Sequence, residues 1–165
     1  MSIKRAAMQV AGLGRDIYWQ KFQPEVNGAH IALTDPEANH LLMVRHTYGK
    51  DKETWRLPGG GLNRTEMQLE ATGRNLGAVA TAKREAKEEL GIEPDLNHLI
   101  TYTTDHRGAK DTVRVFTGQI TPGTELTVAR AEIAAADWFS VDRLPKNIDP
   151  NTLLVRMALR GEMIE

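Results

Sequence analysis

Residues 57–92 constrain this chain more than any other stretch. They read LPGGGLNRTE, then MQLEATGRNLGAVATAK, then REAKEELGI. Glu85, Glu88 and Glu89 fall at i, i+3 and i+4, so a helix here places three carboxylates on one face within a single turn. Such a face is a metal site in outline, and the glycines just before it let bare backbone approach a ligand closely. Val79, Ala82, Ala86 and Leu90 form an apolar stripe that predicts a helix over about residues 78–90, stopped by Gly91, with the carboxylates directed largely away from the core toward an opening. A solvated acidic face balanced by Lys83, Arg84 and Lys87 is the plainer alternative. Against it, Glu85 and Glu89 are a like-charge i, i+4 pair that destabilises a helix by about 0.2–0.5 kcal/mol. A divalent cation would reverse that penalty.

At 165 residues the chain has the length of one domain, enough to bury about two thirds of its unfolded surface without staples. It contains no cysteine, which removes disulfides, thiolate zinc sites and cysteine nucleophiles, and fits a reducing compartment, with the cytoplasm as the default. The formal charge of −1 comes with both signs interspersed, so no global field draws the protein to nucleic acid or to an anionic membrane. No apolar run approaches a membrane span. The opening MSIKRAAMQVAGLG is too short and too poor in Leu, Ile and Phe for an export signal, and Arg15 and Asp16 follow at once.

Along the chain, residues 2–10 have helical spacing ahead of Gly12 and Gly14. Tyr18, Trp19 and Phe22 are expected to pack on the core or on a partner subunit, which makes a homodimer the working expectation. Residues 28–34 and 40–45 predict a hairpin around the turn cluster 35–39, and residues 54–57 a short strand ending at Pro58. Strands are expected at 99–104 and 112–120, joined by a polar loop 105–111, then at 137–141. A last helix over 151–160 carries Leu153, Leu154, Met157 and Ala158 on one face. This predicts an α/β domain with a mixed sheet flanked by helices.

The order of residues sharpens the reading. Arg84, Glu85, Ala86, Glu88, Glu89, Gly91 and Ile92 match R-E-U-x-E-E-x-G-U, U being aliphatic, and Gly60 with Glu66 matches an opening G-x5-E. This resembles the Nudix hydrolase family, whose box reads G-x5-E-x7-R-E-U-x-E-E-x-G-U. The closing part arises by chance on the order of once in 10⁵ chains of this length, so it is a strong signal. Similar proteins also share a strand pair before the box, a Leu-Pro-Gly-Gly entry as at Leu57, Pro58, Gly59 and Gly60, and an acidic residue ahead of a Trp-containing strand, as Glu132 and Trp138. The resemblance covers about residues 26–144 and implies a Nudix-like α/β/α sandwich, with residues 1–25 as an extension packing on a domain of 26–165. One departure stands out. Seventeen residues separate Glu66 from Arg84 where the family has seven. Thr65 and Gln68 have capping-box spacing, so residues 66–72 predict a short extra helix stopped at Gly73. Counting back from Arg84 puts Leu76 at the family's first glutamate, so Glu66 takes that role only if the insertion loops out. The insertion is either a surface elaboration or a lid or specificity element.

Hydrolysing a diphosphate requires neutralised oxygens, a nucleophile made from water and a steadied leaving group, and divalent ions serve all three. An all-oxygen site suits magnesium, with manganese as the alternative. The resemblance implies Glu85, Glu88, Glu89 and the Gly59 carbonyl as ligands, Arg84 as a partner that fixes a ligand carboxylate, and Glu132 ahead of Glu89 as general base. Arg45, His46, Tyr48, Trp55 and Arg56 lie just before the box, placed to stack on a base or meet phosphates, although Trp55 equally suits a core role. His106, Arg107 and Lys110 are more simply solvated. The implied activity is metal-dependent pyrophosphohydrolysis of a nucleoside diphosphate joined to another group, with a capped RNA end as the one nucleic-acid substrate in view. The rival is a NUDIX-type module that binds a nucleotide without turning it over. Prenyl diphosphate isomerases of the same fold use a cysteine, which this chain lacks.

Overall fold

The computed structural model describes residues 18, 21, 22, 25–49, 51–106, 108–121 and 123–162, the side chain of His106 excepted. Its strands are β1 (Glu25–Thr34), β2 (His40–His46), β3 (Gly59–Gly61), β4 (Asn97–His106), β5 (Ala109–Gln119) and β6 (Ile133–Ser140). Its helices are α1 (Arg64–Glu70), α2 (Leu76–Leu90) and α3 (Thr152–Leu159). The sheet has the order β4-β5-β1-β2-β6, with β3 set beside β1. The β1–β5 pair is parallel and the others are antiparallel, so the sheet is mixed.

Both faces of the central strands are covered, which is why β1 and β2 are almost continuously apolar. Ile31, Leu33, Leu42 and Val44 pack toward α2, where Ala78, Ala82, Ala86 and Leu90 are fully buried. The alanine methyls are short enough for α2 to lie close against the sheet. Ala32, Leu41 and Met43 point the other way, into a second cluster with Val113, Val115, Val141 and Val155 of α3. The result is the α/β/α sandwich expected.

The site depends on how β1 and β2 part. They pair at Thr34 and Leu41, and residues 55–61 then enter between them. Val44 and Arg56 exchange N–H···O bonds at 2.8 and 3.0 Å, and Ile31 N–H donates to the Pro58 carbonyl at 2.9 Å. Gly60 then pairs with Ala29. The glycine run is therefore a short strand rather than a free turn, and residues 54–57 make only isolated bridges, Val44 with Arg56 and Trp55 with Ile148.

Other details differ from the sequence expectations. The 105–111 loop contracts to a tight hairpin, because Asp105 pairs with Lys110 and His106 with Ala109. β6 starts at Ile133, since pairing with β2 extends it toward the site. On α3 the buried residues are Thr152 and Val155, while Leu153 and Leu154 are exposed. The proposed helix 2–10 and Trp19 lie outside the described residues. Tyr18 and Phe22 stack on each other with centroids 4.8 Å apart, and at 53% and 59% exposed they are not in the core. No helix among the described residues is long and apolar enough to cross a membrane.

Asp111 on β5 is a polar group inside this frame. Its Oδ1 is buried without a hydrogen-bond partner among the described residues, and burial pushes its carboxyl up to about 6 from an ordinary 3.8. A raised folded-state value means that the folded protein holds the proton more tightly, so this contribution is full below the unfolded value and is lost as pH rises through about 6. Asp111→Asn stays neutral throughout. In urea unfolding, its stability relative to wild type should climb between about pH 4 and pH 7, whereas a constant difference across that range would contradict the burial of this charge.

Candidate active site

α2 presents Arg84, Glu85, Glu88 and Glu89 beside β3. Arg84 is the hub of the cluster. Its Nε and Nη2 donate to Glu66 Oε1 and Oε2 at 2.8 and 3.2 Å, its Nη1 donates to Glu85 Oε1 at 2.8 Å and Glu88 Oε2 at 3.2 Å, and Nη2 also reaches the Gly61 carbonyl at 3.2 Å. Burial acts to raise the Glu66 carboxyl, but the Arg84 guanidinium and the Asn63 N–H outweigh it and hold Glu66 below the ordinary range. Arg84 is itself driven further into its charged form, first by Glu66.

Glu66 therefore does meet Arg84, and Leu76, the positional alternative, is 43% exposed. The insertion loops out. The capping box differs from the expected one: Asn63 Oδ1 accepts from Glu66 N–H at 2.9 Å and Glu66 Oε2 accepts from Asn63 N–H at 2.7 Å, so the helix starts at Arg64. Asparagine is at least as good an N-cap as threonine, and a glutamate three residues on closes the box. Two left-handed residues, Arg74 and Asn75, turn the chain into α2. Glu70 Oε2 accepts from Ala78 N–H at 2.9 Å, satisfying one orphan donor of α2, and Glu70 Oε1 lies 2.8 Å from Arg114 Nε.

Glu85 and Glu89 occupy different surroundings. Burial pushes the Glu85 carboxyl up; Arg84 opposes this, and the charges of Glu89 and Glu88 add to the rise. Glu85 lies against the backbone of Gly60, where a Cβ would fall 2.2 Å from its Oε1. Glu89, only 3% exposed, is not directed to an opening as expected. Its Oε2 accepts from Gly59 N–H at 3.2 Å and its Oε1 from His46 Nε2 at 3.0 Å. Gly59 has φ of +146°, and a Cβ there would sit 2.3 Å from the Ala29 carbonyl oxygen, so only glycine fits.

The remaining predicted residues divide. Arg45 and His46 line a cavity of about 230 Å³ together with Thr47, Lys52, Glu53 and Ala134. Arg45 Nη1 donates to Glu53 at 2.7 Å, and its guanidinium lies 5.0 Å from the Trp55 ring centre. Trp55 packs edge-on to Phe139 and does not line the cavity, and neither do Tyr48 and Arg56; the Tyr48 ring lies 5.2 Å from His46, and Arg56 Nη2 donates to the Asp51 carbonyl. The segment carrying Glu132 is tied to the site at both ends. Ala129 N–H donates to the Glu89 carbonyl at 2.9 Å, and Thr47 N–H donates to the Glu132 carbonyl at 2.8 Å. Lys110 is 3.3 Å from Glu25; the side chain of His106 and all of Arg107 lie outside the described residues. Lys52, Glu53, Thr47 and Ala134 also line this cavity, and no local pattern in the sequence singles them out.

A family model described as the NUDIX domain matches residues 24–155. The chain belongs to the NUDIX domain family. A curated relative from Streptomyces rubellomurinus, CMP-5'-(N-acetyl-N-hydroxy-3-aminopropyl)phosphonate hydrolase, is 36% identical over 75 residues, which are 45% of this chain and 32% of the relative. The match thus spans about a third of that protein's length. Among solved structures, the MutT NUDIX hydrolase of Burkholderia pseudomallei superposes with a TM-score of 0.63 at 21% identity, covering 84% of this chain and 98% of the other. The NUDIX domain of Shewanella oneidensis NrtR, solved in complex with ADP ribose, gives 0.64 at 18% identity, over 87% and 92%.

Members of the NUDIX family generally use divalent metal ions, and the donor set here suits one: glutamate oxygens and a glycine-strand backbone, with Glu85 raised first by burial and further by the charges of Glu89 and Glu88. Among the described residues, no three acidic or imidazole groups converge as a ready cage. Arg84 Nη1 is bonded to one oxygen each of Glu85 and Glu88, at 2.8 and 3.2 Å. The seating of the insertion can be tested at Gly77, where a Cβ would lie 2.0 Å from the Glu66 carbonyl oxygen. Gly77→Ala should force α1 off α2, lower stability by about 1–3 kcal/mol and disturb the Glu66–Arg84 pair, read by chemical unfolding. Unchanged stability would mean that α1 is not anchored there.

Proposed function

We propose that this NUDIX domain is a divalent-metal-dependent pyrophosphohydrolase that cleaves the diphosphate of a nucleoside diphosphate joined to another group. The observation that supports this most is the Arg84 hub: one guanidinium holds Glu66, Glu85 and Glu88 beside the glycine strand, and Glu89 stands next to them in a nearly dry setting. Glu85, Glu88 and Glu89, with the Gly59 carbonyl, would hold magnesium, or manganese in its place. Bound there, the ion supplies positive charge for phosphate oxygens and lowers the pKa of water. The protein's own contributions are positional. Arg84 stays anchored on Glu66 and limits the rotamers open to Glu85 and Glu88, Glu132 is the first candidate to take the proton from attacking water, and Glu89 is the second. The cavity at Arg45 and His46 is smaller than a typical ligand pocket of about 300–1,000 Å³, so it suits one part of a substrate, such as a phosphate or sugar, rather than the whole.

A second reading has one observation behind it. In this arrangement Arg84 already neutralises Glu85 and Glu88, as it would in a module that binds a nucleotide without hydrolysing it. A magnesium-supplemented turnover screen over ADP-ribose, nucleotide sugars, dinucleoside polyphosphates, nucleoside triphosphates and capped RNA separates the two. The enzyme reading expects a nucleoside monophosphate product from at least one class; nucleotide binding with no turnover in any class would favour the module. For whichever substrate is cleaved, Glu88→Gln and Glu89→Gln should each lower kcat by orders of magnitude with the far-UV circular dichroism unchanged. Near-normal rates in both would refute the metal assignment.

A further inference from the structure

His46, which the sequence offers as a residue to stack on a base or meet phosphates, has its ring bonded to Glu89 in the structure. β2 alternates, so Val44 and His46 both face α2 while Arg45 lies on the opposite side, over Trp55. A register shift opposite Arg45 and His46 leaves Ala134 as an extra residue on β6 and moves the partner from Ala135 to Ile133. The imidazole is left mostly buried, with 11% of its side chain exposed, and its Nε2 lies 3.0 Å from Oε1 of Glu89, whose side chain is 4% exposed. An ionised carboxylate only accepts, so Nε2 carries the hydrogen in this bond. Gly59 N–H holds the other oxygen. Each oxygen keeps a further lone pair, and the two donors decide which way it points.

We infer that His46 is the positioning residue of Glu89, fixing its carboxylate for cation binding rather than binding substrate itself. The inference rests on the proposed metal-dependent reading of this site. The pairing spans 43 positions of sequence and joins the end of β2 to the last turn of α2. Because His46 also lines the cavity beside Arg45, it ties that wall to the carboxylate. Groups that orient a metal ligand from behind typically change affinity or activity by about 10–100-fold when removed.

The test uses Mn²⁺ alone as probe, with affinity read by electron paramagnetic resonance, followed by steady-state kinetics on any substrate cleaved. His46→Ala should weaken Mn²⁺ binding about 10-fold or more and lower kcat with little change in KM. His46→Gln, which keeps an N–H donor, should recover much of both, a pattern that a purely structural role would not produce. If His46→Ala does not fold, the comparison of His46→Gln with His46→Leu carries the test. Normal Mn²⁺ affinity with a raised KM would make His46 a substrate contact and overturn the inference. Should wild type bind Mn²⁺ yet cleave nothing, the hydrolase reading fails while the affinity comparison still decides His46. Absence of Mn²⁺ binding by wild type would overturn both.

Discussion

The bidentate bond between Arg84 and Glu66 holds the rest of the site in place. It joins the first residues of α1 to the middle of α2 across the insertion, and it fixes the guanidinium so that the remaining donors meet Glu85, Glu88 and the Gly61 carbonyl. An arginine fork matches a carboxylate in two parallel bonds, so a lysine here would supply the charge without the orientation. Burial alone would make Glu66 harder to ionise, and the bond reverses that. Glu66, Glu85 and Glu88 share this region with the Arg84 guanidinium bonded to all three.

The glycine strand is the second constraint. Its three residues are drawn into the gap where β1 and β2 part, and their lack of side chains lets Glu85 rest on Gly60 and Glu89 accept from Gly59. The sheet thus brings backbone to the helix at a distance that no other residue permits. Around this contact the protein is conventional: two apolar layers, one under α2 and one under α3, position the site without taking part in it. The insertion changes little of this. Its helix is fastened by Glu66 to Arg84 and by Glu70 to Arg114 and to the start of α2, so the extra length is carried outside the box geometry.

Much of this was legible in the residues, for identifiable reasons. The helix face of Glu85, Glu88 and Glu89 follows from local spacing, and the buried strands follow from apolar runs such as Leu41 to Val44. What could not be read were contacts between distant segments. Nothing near His46 announces Glu89, nothing near Arg84 decides between Glu66 and Leu76, and the register of β3 on β1 is set by a gap that only the folded sheet creates. The loop 105–111 looked polar enough to be free, yet strand pairing continued through it because parallel β1 supports β5 along its whole length. Helical spacing groups Leu153, Leu154, Met157 and Ala158 on one face of α3, but the packed helix turns Thr152 and Val155 inward and leaves Leu153 and Leu154 exposed.

Divalent-metal catalysis at this site requires the carboxylates of α2 to exchange their arginine partner for a divalent ion. A crystal structure grown with Mn²⁺, using anomalous scattering to locate the metal, measures this directly. The expected result is an anomalous peak bounded by Glu85, Glu88 and Glu89, with Arg84 still paired to Glu66. Saturating Mn²⁺ with no peak there, and with Arg84 still bound to Glu85 and Glu88, would contradict it.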